Sequence, residues 1–571
     1  MVASCLPHPP ATGARDPGSM QTSRRTLIKA GAATGVAIGA HVASASPADA
    51  RNHASRLRSD PFNLGVASGD PWPDGFVIWT RLAPDPLAEN GLGGMPDVPF
   101  RVEWEVARDP SFRRTVRRGS RVALPDSAHA IHVELRGLRP DRDYWYRFRC
   151  GRFDSRSGRA RTAPRRGTMP SSLAMSFVSC SQFEHGYFTA YRRMAEDNPD
   201  LVLHLGDYQY EYKAGDYEAP GGNIRDHAGP ETTTLDTYRQ RHAQYKTDPD
   251  LQAAHAVAPW LVVWDDHELD NNWADETPEK AETGFLDRRA AAFRAYYENM
   301  PLRRSSVPHG IDLQLFRRIA WGELATFHML DTRQYRDDQG CGDGYDTDCP
   351  AAVDQARSIT GAAQESWLLN GFRRSQSRWD LLGQQVFFAQ RDSDEGPMKT
   401  VSMDAWDGYA ASRQRITQGW VDAGVRNPVV LTGDVHAHWA SDLKLDYDDP
   451  TTKTVGSELV CSSITSGGSG EDSASVAHPW LQWNPHLRFQ NNLRGYVRTR
   501  ITPDEMTADF RCIPDVTSRT AQAFTRASFT LTDQERGLEQ TYDNPPEQTK
   551  RERRSARELG RDTIRWETER P

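Results

Sequence analysis

The sequence has no run of the roughly 18 uncharged apolar residues that a membrane-spanning helix needs, so no transmembrane anchor is expected. It has no glycine-rich phosphate loop, no Gly-x-Ser-x-Gly elbow and no internal repeat, which sets aside P-loop nucleotide chemistry, serine-hydrolase chemistry and solenoids. It has no excess of positive charge either. The net charge is −8, which argues against a general nucleic-acid scaffold. Cysteine is sparse, with seven in 571 residues, too few for a fold built on disulfides.

The one strongly apolar segment, Ala30 to Ala43, follows Ser23-Arg24-Arg25-Thr26-Leu27-Ile28-Lys29. That order reads as a twin-arginine export signal within a leader over residues 1–50, cleaved at Ala43-Ser44-Ala45 or Ala48-Asp49-Ala50. Met20 would give the signal a shorter, more usual start. The expected destination is extracellular, by way of the twin-arginine machinery, which carries folded proteins with cofactors already inserted. Outside the cytoplasm Cys341 and Cys349, which bracket a Gly/Asp-rich loop, are expected to pair. Cys461 and Cys512 lie in strand-like runs, and their pairing stays open. Cys150 and Cys180 are left over.

Residues 60–165 read as all-β. Phe76–Thr80, Arg101–Val106, His132–Leu135 and Tyr144–Phe148 are short strands between Gly/Pro/Asp turns, and the late ones resemble a fibronectin or immunoglobulin-like sandwich. A Pro/Arg/Gly-rich linker follows at 163–171. From 172 to 535 strands and helices alternate. The strands are 173–178, 201–205, 258–263, 313–316, 324–330, 386–389, 428–431 and 458–465, with a β pair at 495–501 and 506–513. Helices are expected at 187–196, 234–258, 285–299, 365–378 and 411–423. Residues 536–571 form a charged, Arg-rich tail, read as a solvated helix-like stretch or as a flap near an anionic substrate.

Several of the apolar strands stop at polar residues that can bind metals. Val178 leads to Ser179-Cys180. Leu205 leads to Gly206-Asp207-Tyr208-Gln209-Tyr210. Val263 leads to Trp264-Asp265-Asp266-His267-Glu268, with Asn271 and Asn272 close behind. Leu330 leads to Asp331-Thr332-Arg333, and Leu431 to Thr432-Gly433-Asp434-Val435-His436-Ala437-His438. Sites in α/β sheets gather at strand carboxyl ends, and burying so many ionisable groups without partners is costly. Asp207 is the natural carboxylate to bridge two metals. Cys and Tyr bind as anions and suit ferric iron, while Asp and Asn oxygens suit calcium, magnesium or manganese. His436 and His438, spaced for one strand face, are both candidate ligands.

Gly-Asp-Tyr at 206–208, Asp266-His267-Glu268 and Gly433-Asp434-Val435-His436-Ala437-His438 resemble the metallophosphoesterase motif series. With Val178-Ser179-Cys180, Tyr210, Arg241-His242-Ala243-Gln244-Tyr245 and Asp331-Thr332-Arg333-Gln334-Tyr335-Arg336, the chain is similar to the PhoD-type alkaline phosphatases from about Phe62 to Arg526. The likeness extends to exported actinobacterial phospholipase D enzymes of the same non-HKD family. It implies an α/β metallophosphoesterase fold, with two facing mixed sheets flanked by helices, preceded by the small sandwich. It implies Fe3+ held by Cys180, Asp207, Tyr210 and His436. It also implies Ca2+, with Mn2+ or Mg2+ as substitutes, held by Asp207, one or both of Asp265 and Asp266, an Asn such as Asn271, and Asp434. A C-terminal helix over the site is a further implication.

The expected reaction is metal-assisted hydrolysis of phosphate mono- and diesters, by a metal-activated hydroxide, for phosphate scavenging. His267 is expected to protonate the leaving group or position the phosphate. Arg241 is expected to clamp the phosphate, against the alternative that Arg241 and Arg333 sit in salt bridges. Glu268 is expected to orient its neighbours. A monomer is expected. The alternatives are a phospholipase D that releases lipid head groups, marked by a wide apolar entrance, and a catalytically inactive surface binding protein.

Overall fold

The computed structural model describes residues 47–472 and 478–545. The twin-arginine motif, the apolar segment behind it and the tail beyond residue 545 fall outside the described residues. Of the two cleavage sites, Ala48-Asp49-Ala50 lies within the helix Pro47–Ser55, where Ala50 and Ala54 are buried.

Among the described residues ten strands form one sheet. Their order is Glu539–Asp543, Phe524–Thr532, Glu505–Ile513, Arg494–Ile501, Leu173–Val178, Leu201–Leu205, Trp260–Val263, Val66–Trp72, Gly75–Arg81 and Ala130–Glu134. Leu173–Val178, Leu201–Leu205 and Trp260–Val263 run parallel, and the last two are apolar or buried along their whole length, as strands covered on both faces require. A second sheet of seven strands has the order Arg317–Trp321, Ala325–Met329, Trp379–Gly383, Pro428–Thr432, Thr454–Val460, His438–Lys444 and Leu487–Asn491.

The two sheets face each other across one core. Phe177 and Leu203 of the first share it with Phe327, Leu381, Leu431 and Leu459 of the second. The approach is close: a Cβ on Gly433 would stand 2.7 Å from that of Ser179. Helices Thr189–Glu196, Leu235–Lys246, Pro249–Val257 and Phe285–Asn299 contribute Tyr191, Tyr238, Leu251 and Phe293 to this core. Helices Gly361–Phe372 and Ala410–Asp422 pack Leu368 and Trp420 against Val430 and Val460 of the second sheet.

The composition change at 163–171 does not mark a break between sheets. Val66–Trp72 joins the ten-stranded sheet beside Trp260–Val263, in parallel, through the pair Gly69 and Trp260. Phe76, Ile78 and Val133 then pack against Val102, Val106, Tyr146 and Phe148 of a smaller sheet that holds Phe100–Ala107, Thr115–Ala123 and Asp143–Cys150. The N-terminal sandwich thus uses the far end of the ten-stranded sheet as one of its two layers.

Several local expectations are corrected. The helix over 234–258 is two helices, because Asp248 caps the second by accepting from the N–H groups of Asp250 and Leu251, with Pro249 at its first position. The strand near 313–316 is Arg317–Trp321 instead. The helix over 365–378 stops at Phe372, and a strand, Trp379–Gly383, follows. Val386–Ala389 is not a strand. The N–H groups of Phe388 and Ala389 donate to the buried Glu458 carboxylate at 2.8 and 2.9 Å rather than to a ladder. Cys341 and Cys349 are bonded, whereas Cys461 and Cys512 are buried free thiols. No helix among the described residues is long and apolar enough to cross a membrane.

The contact of the N-terminal strands with helices Leu235–Lys246 and Phe285–Asn299 gives a stability prediction. Trp79 is fully buried, its Nε1 donates to the Glu298 carbonyl at 2.9 Å, and the Lys246 ammonium lies 4.6 Å from its ring. Trp79→Ala should cost about 3–5 kcal/mol and lower the thermal midpoint measured by circular dichroism. An unchanged midpoint would show that these strands are not coupled to the rest of the sheet.

Candidate metal centre

The sequence-predicted donors sit where the strands run out, and many of them adopt a backbone conformation that L-residues seldom take. Cys180, Asp207, Asp434 and His436 have φ of 60°, 54°, 61° and 52°, and Asn272 has 48°. Each such turn costs of order 1–3 kcal/mol, and such strain clusters at functional sites. Gly206, ahead of Asp207, has φ of 113°, and a Cβ there would lie 2.4 Å from that of Asp265. Glycine is therefore required where two strand ends nearly touch.

Two buried groups of ligand atoms result, each within 4.8 Å. One is Cys180, Asp207 and His436, and the other is Asp207, Asp266 and His267. Asp207 belongs to both. The Tyr210 hydroxyl joins the first group, donating to Asp207 Oδ2 at 2.9 Å and lying 3.2 Å from His436 Nε2, while Ser466 Oγ donates to it at 2.7 Å. Asp434, Asn271 and Asn272 line the same cleft, of about 220 Å³. Among the described residues nothing donates to Oδ1 of Asp207 or to Oδ1 of Asp266, and both residues are buried. Buried carboxylate oxygens without donors, beside a thiol, a phenol and an imidazole, fit two cations, with Asp207 a donor common to both groups.

The electrostatics agree with this fit. Burial pushes Asp207 well above the usual carboxylate range, and Asp266, Glu268 and Asp434 add to the shift against the relief given by His267. Burial and the same Asp207 carboxylate hold the Cys180 thiol far above its ordinary value. Both groups need nearby positive charge to ionise. Asp266 is the exception: despite burial, Arg333 and His267 hold it below the usual range. Burial works against a charge on His267, but Glu211, Asp266 and Asp207 outweigh it and keep the imidazolium.

Other side chains hold these donors in place. Glu268 accepts from the N–H groups of Asp207, Tyr208 and Asp265 at 3.1, 2.6 and 2.8 Å, which pins two strand ends together. Burial still raises it to about 7. Glu211 accepts from His267 Nδ1 at 2.8 Å and from the Asn271 N–H at 3.1 Å. The Tyr210 ring stacks on His267 with centroids 4.1 Å apart. Arg494 donates to the carbonyl of His436.

Three expectations change. Arg241 does not line the cleft. Its guanidinium is buried and donates to the carbonyls of Tyr210, Tyr212 and Pro230, so it braces the loop that carries Tyr210. Asp265 and Asp266 part company: Asp266 lines the cleft, while Asp265 lies off it and accepts from Arg333 Nε at 2.6 Å. Arg333 is also held by both carboxylate oxygens of Asp404, at 2.8 and 2.9 Å. His438 does not line the cleft as His436 does. It begins the strand His438–Lys444, accepts the Ser462 N–H at 3.0 Å and packs on Phe510, and burial lowers it to about 3.

Sequence reasoning missed Glu211, Asp404 and Arg391. Glu211 follows Tyr210 directly and could have been found as the next carboxylate after a strand-end motif. Asp404 and Arg391 lie in loops that carry no pattern.

Comparison with known proteins follows the same outline. The model of the PhoD-like phosphatase family matches residues 174–510, and that of the PhoD-like phosphatase N-terminal domain matches residues 45–164. Alkaline phosphatase D of Bacillus subtilis (strain 168) is 48% identical over 518 residues, which are 90% of this chain and 88% of that protein. A solved structure described as the structure of PhoD superposes with a TM-score of 0.83 at 46% identity, covering 89% of this chain and 98% of its own. With matches that run through both the N-terminal strands and the two sheets that form the cleft, the chain belongs to the PhoD-like phosphatase family of metal-dependent phosphate-ester hydrolases.

Proposed function

We propose that this phosphoric ester hydrolase cleaves phosphate mono- and diesters outside the cell, releasing phosphate for uptake. The observation that carries the site assignment is the sharing of buried Asp207 between two donor groups. Cys180, Asp207, Tyr210 and His436 would hold ferric iron, since thiolate and phenolate stabilise the higher oxidation state. Asp207, Asp266, Asn271 and Asp434 would hold calcium, or manganese or magnesium in its place, through hard oxygen donors. When bound, the two ions supply Lewis acidity toward phosphoryl oxygens and toward water.

The chain's own residues do the remaining work. Glu211 fixes the His267 ring by accepting from Nδ1, and His267 lines the cleft, so Nε2 is the atom that gives a proton to the leaving oxygen. Stacking on Tyr210 keeps that ring in one plane. Arg333 offsets the charge of Asp265 and Asp266 from behind. The cleft lining favours soluble esters over phospholipids, because Val435 is its one aliphatic side chain among the described residues. Export by the twin-arginine route rests on residues 23–43, and the Cys341–Cys349 disulfide suits an oxidising compartment. All the donors are retained, which weighs against an inactive binding protein.

Two experiments test this reading. Asp207→Asn should abolish hydrolysis and lower both iron and calcium content by elemental analysis, since one carboxylate serves both donor groups. A fully active, fully metallated variant would sink the scheme. His267→Gln should lower kcat by roughly 10²–10⁴-fold, and more for an alkyl ester than for p-nitrophenyl phosphate, whose leaving group needs no proton. Equal losses on both substrates would remove His267 from the role of acid.

A further inference from the structure

Charge is distributed unevenly along the chain. Residues 101–170 hold eighteen arginines against eight aspartates and glutamates, in a chain whose net charge is −8. The excess is densest just before and within the strand Thr115–Ala123. Arg113, Arg114, Arg117, Arg118 and Arg121 are all exposed there, and residues 110–125 include no carboxylate. The carboxylates around them have other partners. Glu103 pairs with Arg101, Glu105 with Arg147, and Asp126 with Arg294. Asp109 accepts from the Ser111 hydroxyl and from the N–H groups of Arg113 and Arg114, not from their guanidinium groups. Among the described residues no carboxylate forms an ion pair with any of the five arginines. Arg117 donates to the Gly137 carbonyl at 2.6 Å, which leaves its charge in place.

Thr115–Ala123 is an edge strand of the smaller sheet, and among the described residues it pairs with Phe100–Ala107 alone. The register sets Arg118 opposite Glu105 and Val122 opposite Arg101 on one face, and Arg117 and Arg121 opposite the core residues Val106 and Val102 on the other. The arginines thus occupy both faces of one exposed strand. Charge on an edge strand deters pairing with another molecule, but protection alone does not account for the apolar side chains beside it. Val122 and Leu124 are 38% and 45% exposed next to Arg121. Basic groups beside exposed aliphatic ones suit the boundary between headgroups and acyl chains of an anionic bilayer, and guanidinium groups suit its phosphates. The chain also enters the fold close by. Ala123 pairs with Phe100, and His53 of the helix Pro47–Ser55 meets the Pro99 carbonyl at 3.0 Å. The proposed leader, with its apolar segment Ala30 to Ala43, joins the fold at that helix, which favours a bilayer over a soluble polyanion.

We propose that the arginine edge from Arg113 to Arg121, with Val122 and Leu124, docks the N-terminal sandwich onto a membrane surface rich in anionic phospholipid. None of these residues lines the metal cleft, so the surface is separate from the ester hydrolysis proposed above. It holds the enzyme at a membrane although no helix among the described residues is long and apolar enough to cross one. Attachment through exposed arginines is salt-dependent, because such charges are screened within about 8 Å at physiological ionic strength.

The test sediments exported, metal-loaded protein with vesicles of phosphatidylcholine alone and of equimolar phosphatidylcholine and phosphatidylglycerol. Every variant carries the same N-terminus, so the leader cannot account for a difference between them. Wild-type protein should bind the anionic vesicles, leave the neutral ones, and be released by added salt. Combining Arg113→Ser, Arg114→Ser, Arg117→Ser, Arg118→Ser and Arg121→Ser should weaken binding by roughly 100-fold or more, with hydrolysis of p-nitrophenyl phosphate in solution unchanged. The pair Val122→Ser and Leu124→Ser should weaken binding by several fold and leave its salt dependence as it was. Equal binding of wild type to both vesicles overturns the proposal, and so does undiminished binding by the fivefold serine variant. Wild-type binding to duplex DNA as tight as to anionic vesicles would make the edge a general polyanion site and overturn the bilayer as its occupant. Should the fivefold variant fail to fold, Arg113→Ser and Arg118→Ser alone decide: each should weaken vesicle binding by a few fold, and no loss in either overturns the proposal.

Discussion

The site depends on one electrostatic constraint: among the described residues, more carboxylates are gathered at the strand ends than the side-chain cations beside them balance. Asp207, Asp265, Asp266 and Glu268 are buried at the strand ends with Asp434 half-buried beside them, and among the described residues Arg333 and His267 are the cations that act on Asp207, Asp265 and Asp266. Removing a carboxylate from water is costly unless charge or hydrogen bonds replace the lost hydration. Glu268 is satisfied by three backbone N–H groups, and Asp265 by Arg333 on one oxygen. The oxygens of Asp207 and Asp266 that receive no donor are left for cations from solution. Metal binding there would supply the missing charge, and because the donors come from distant parts of the chain, that binding free energy would also be folding free energy.

The same constraint explains the backbone. A strand ending in ordinary geometry would turn its last side chains alternately to the two faces of the sheet. At Cys180, Asp207, Asp434 and His436 the chain instead passes through the left-handed region, which swings each donor toward the gap between the sheets. Such strain lasts only where the surroundings over-determine it. Glu268 and Glu458 provide that hold by taking up backbone N–H groups that a ladder would otherwise use, Glu268 at the strand ends of the first sheet and Glu458 beside the second. Arg241 does comparable work for the loop at Tyr210.

The strand ends were legible because they combine two strong signals, an apolar run and an abrupt cluster of ionisable groups. The alternation of strands and helices after residue 172 was legible for the same reason of pattern. What failed to show was whatever depends on partners distant in the sequence. Val386–Ala389 has the composition of a strand, yet Glu458, about seventy residues later, takes its N–H groups. The joining of Val66–Trp72 to Trp260–Val263 rests on a single residue pair that no local pattern encodes. Arg241 looked like a phosphate ligand because it sits in a motif, and only the structure shows three carbonyls already using it. The close spacing of His436 and His438 suggested a shared face, but His436 precedes the strand that His438 begins.

The adjacent pair Asp265 and Asp266 shows how a two-residue motif is divided between roles. Neighbouring side chains at a strand end diverge, so one carboxylate reaches the cleft and the other turns to Arg333. Arg333 then stands 3.7 Å from Asp266 as well and is chelated by Asp404. A guanidinium shared among three carboxylates has little net charge left for an incoming anion. Its effect is instead to keep Asp266 ionised and ready to hold a cation. Attraction of the substrate must therefore come from elsewhere, and bound metals would supply it.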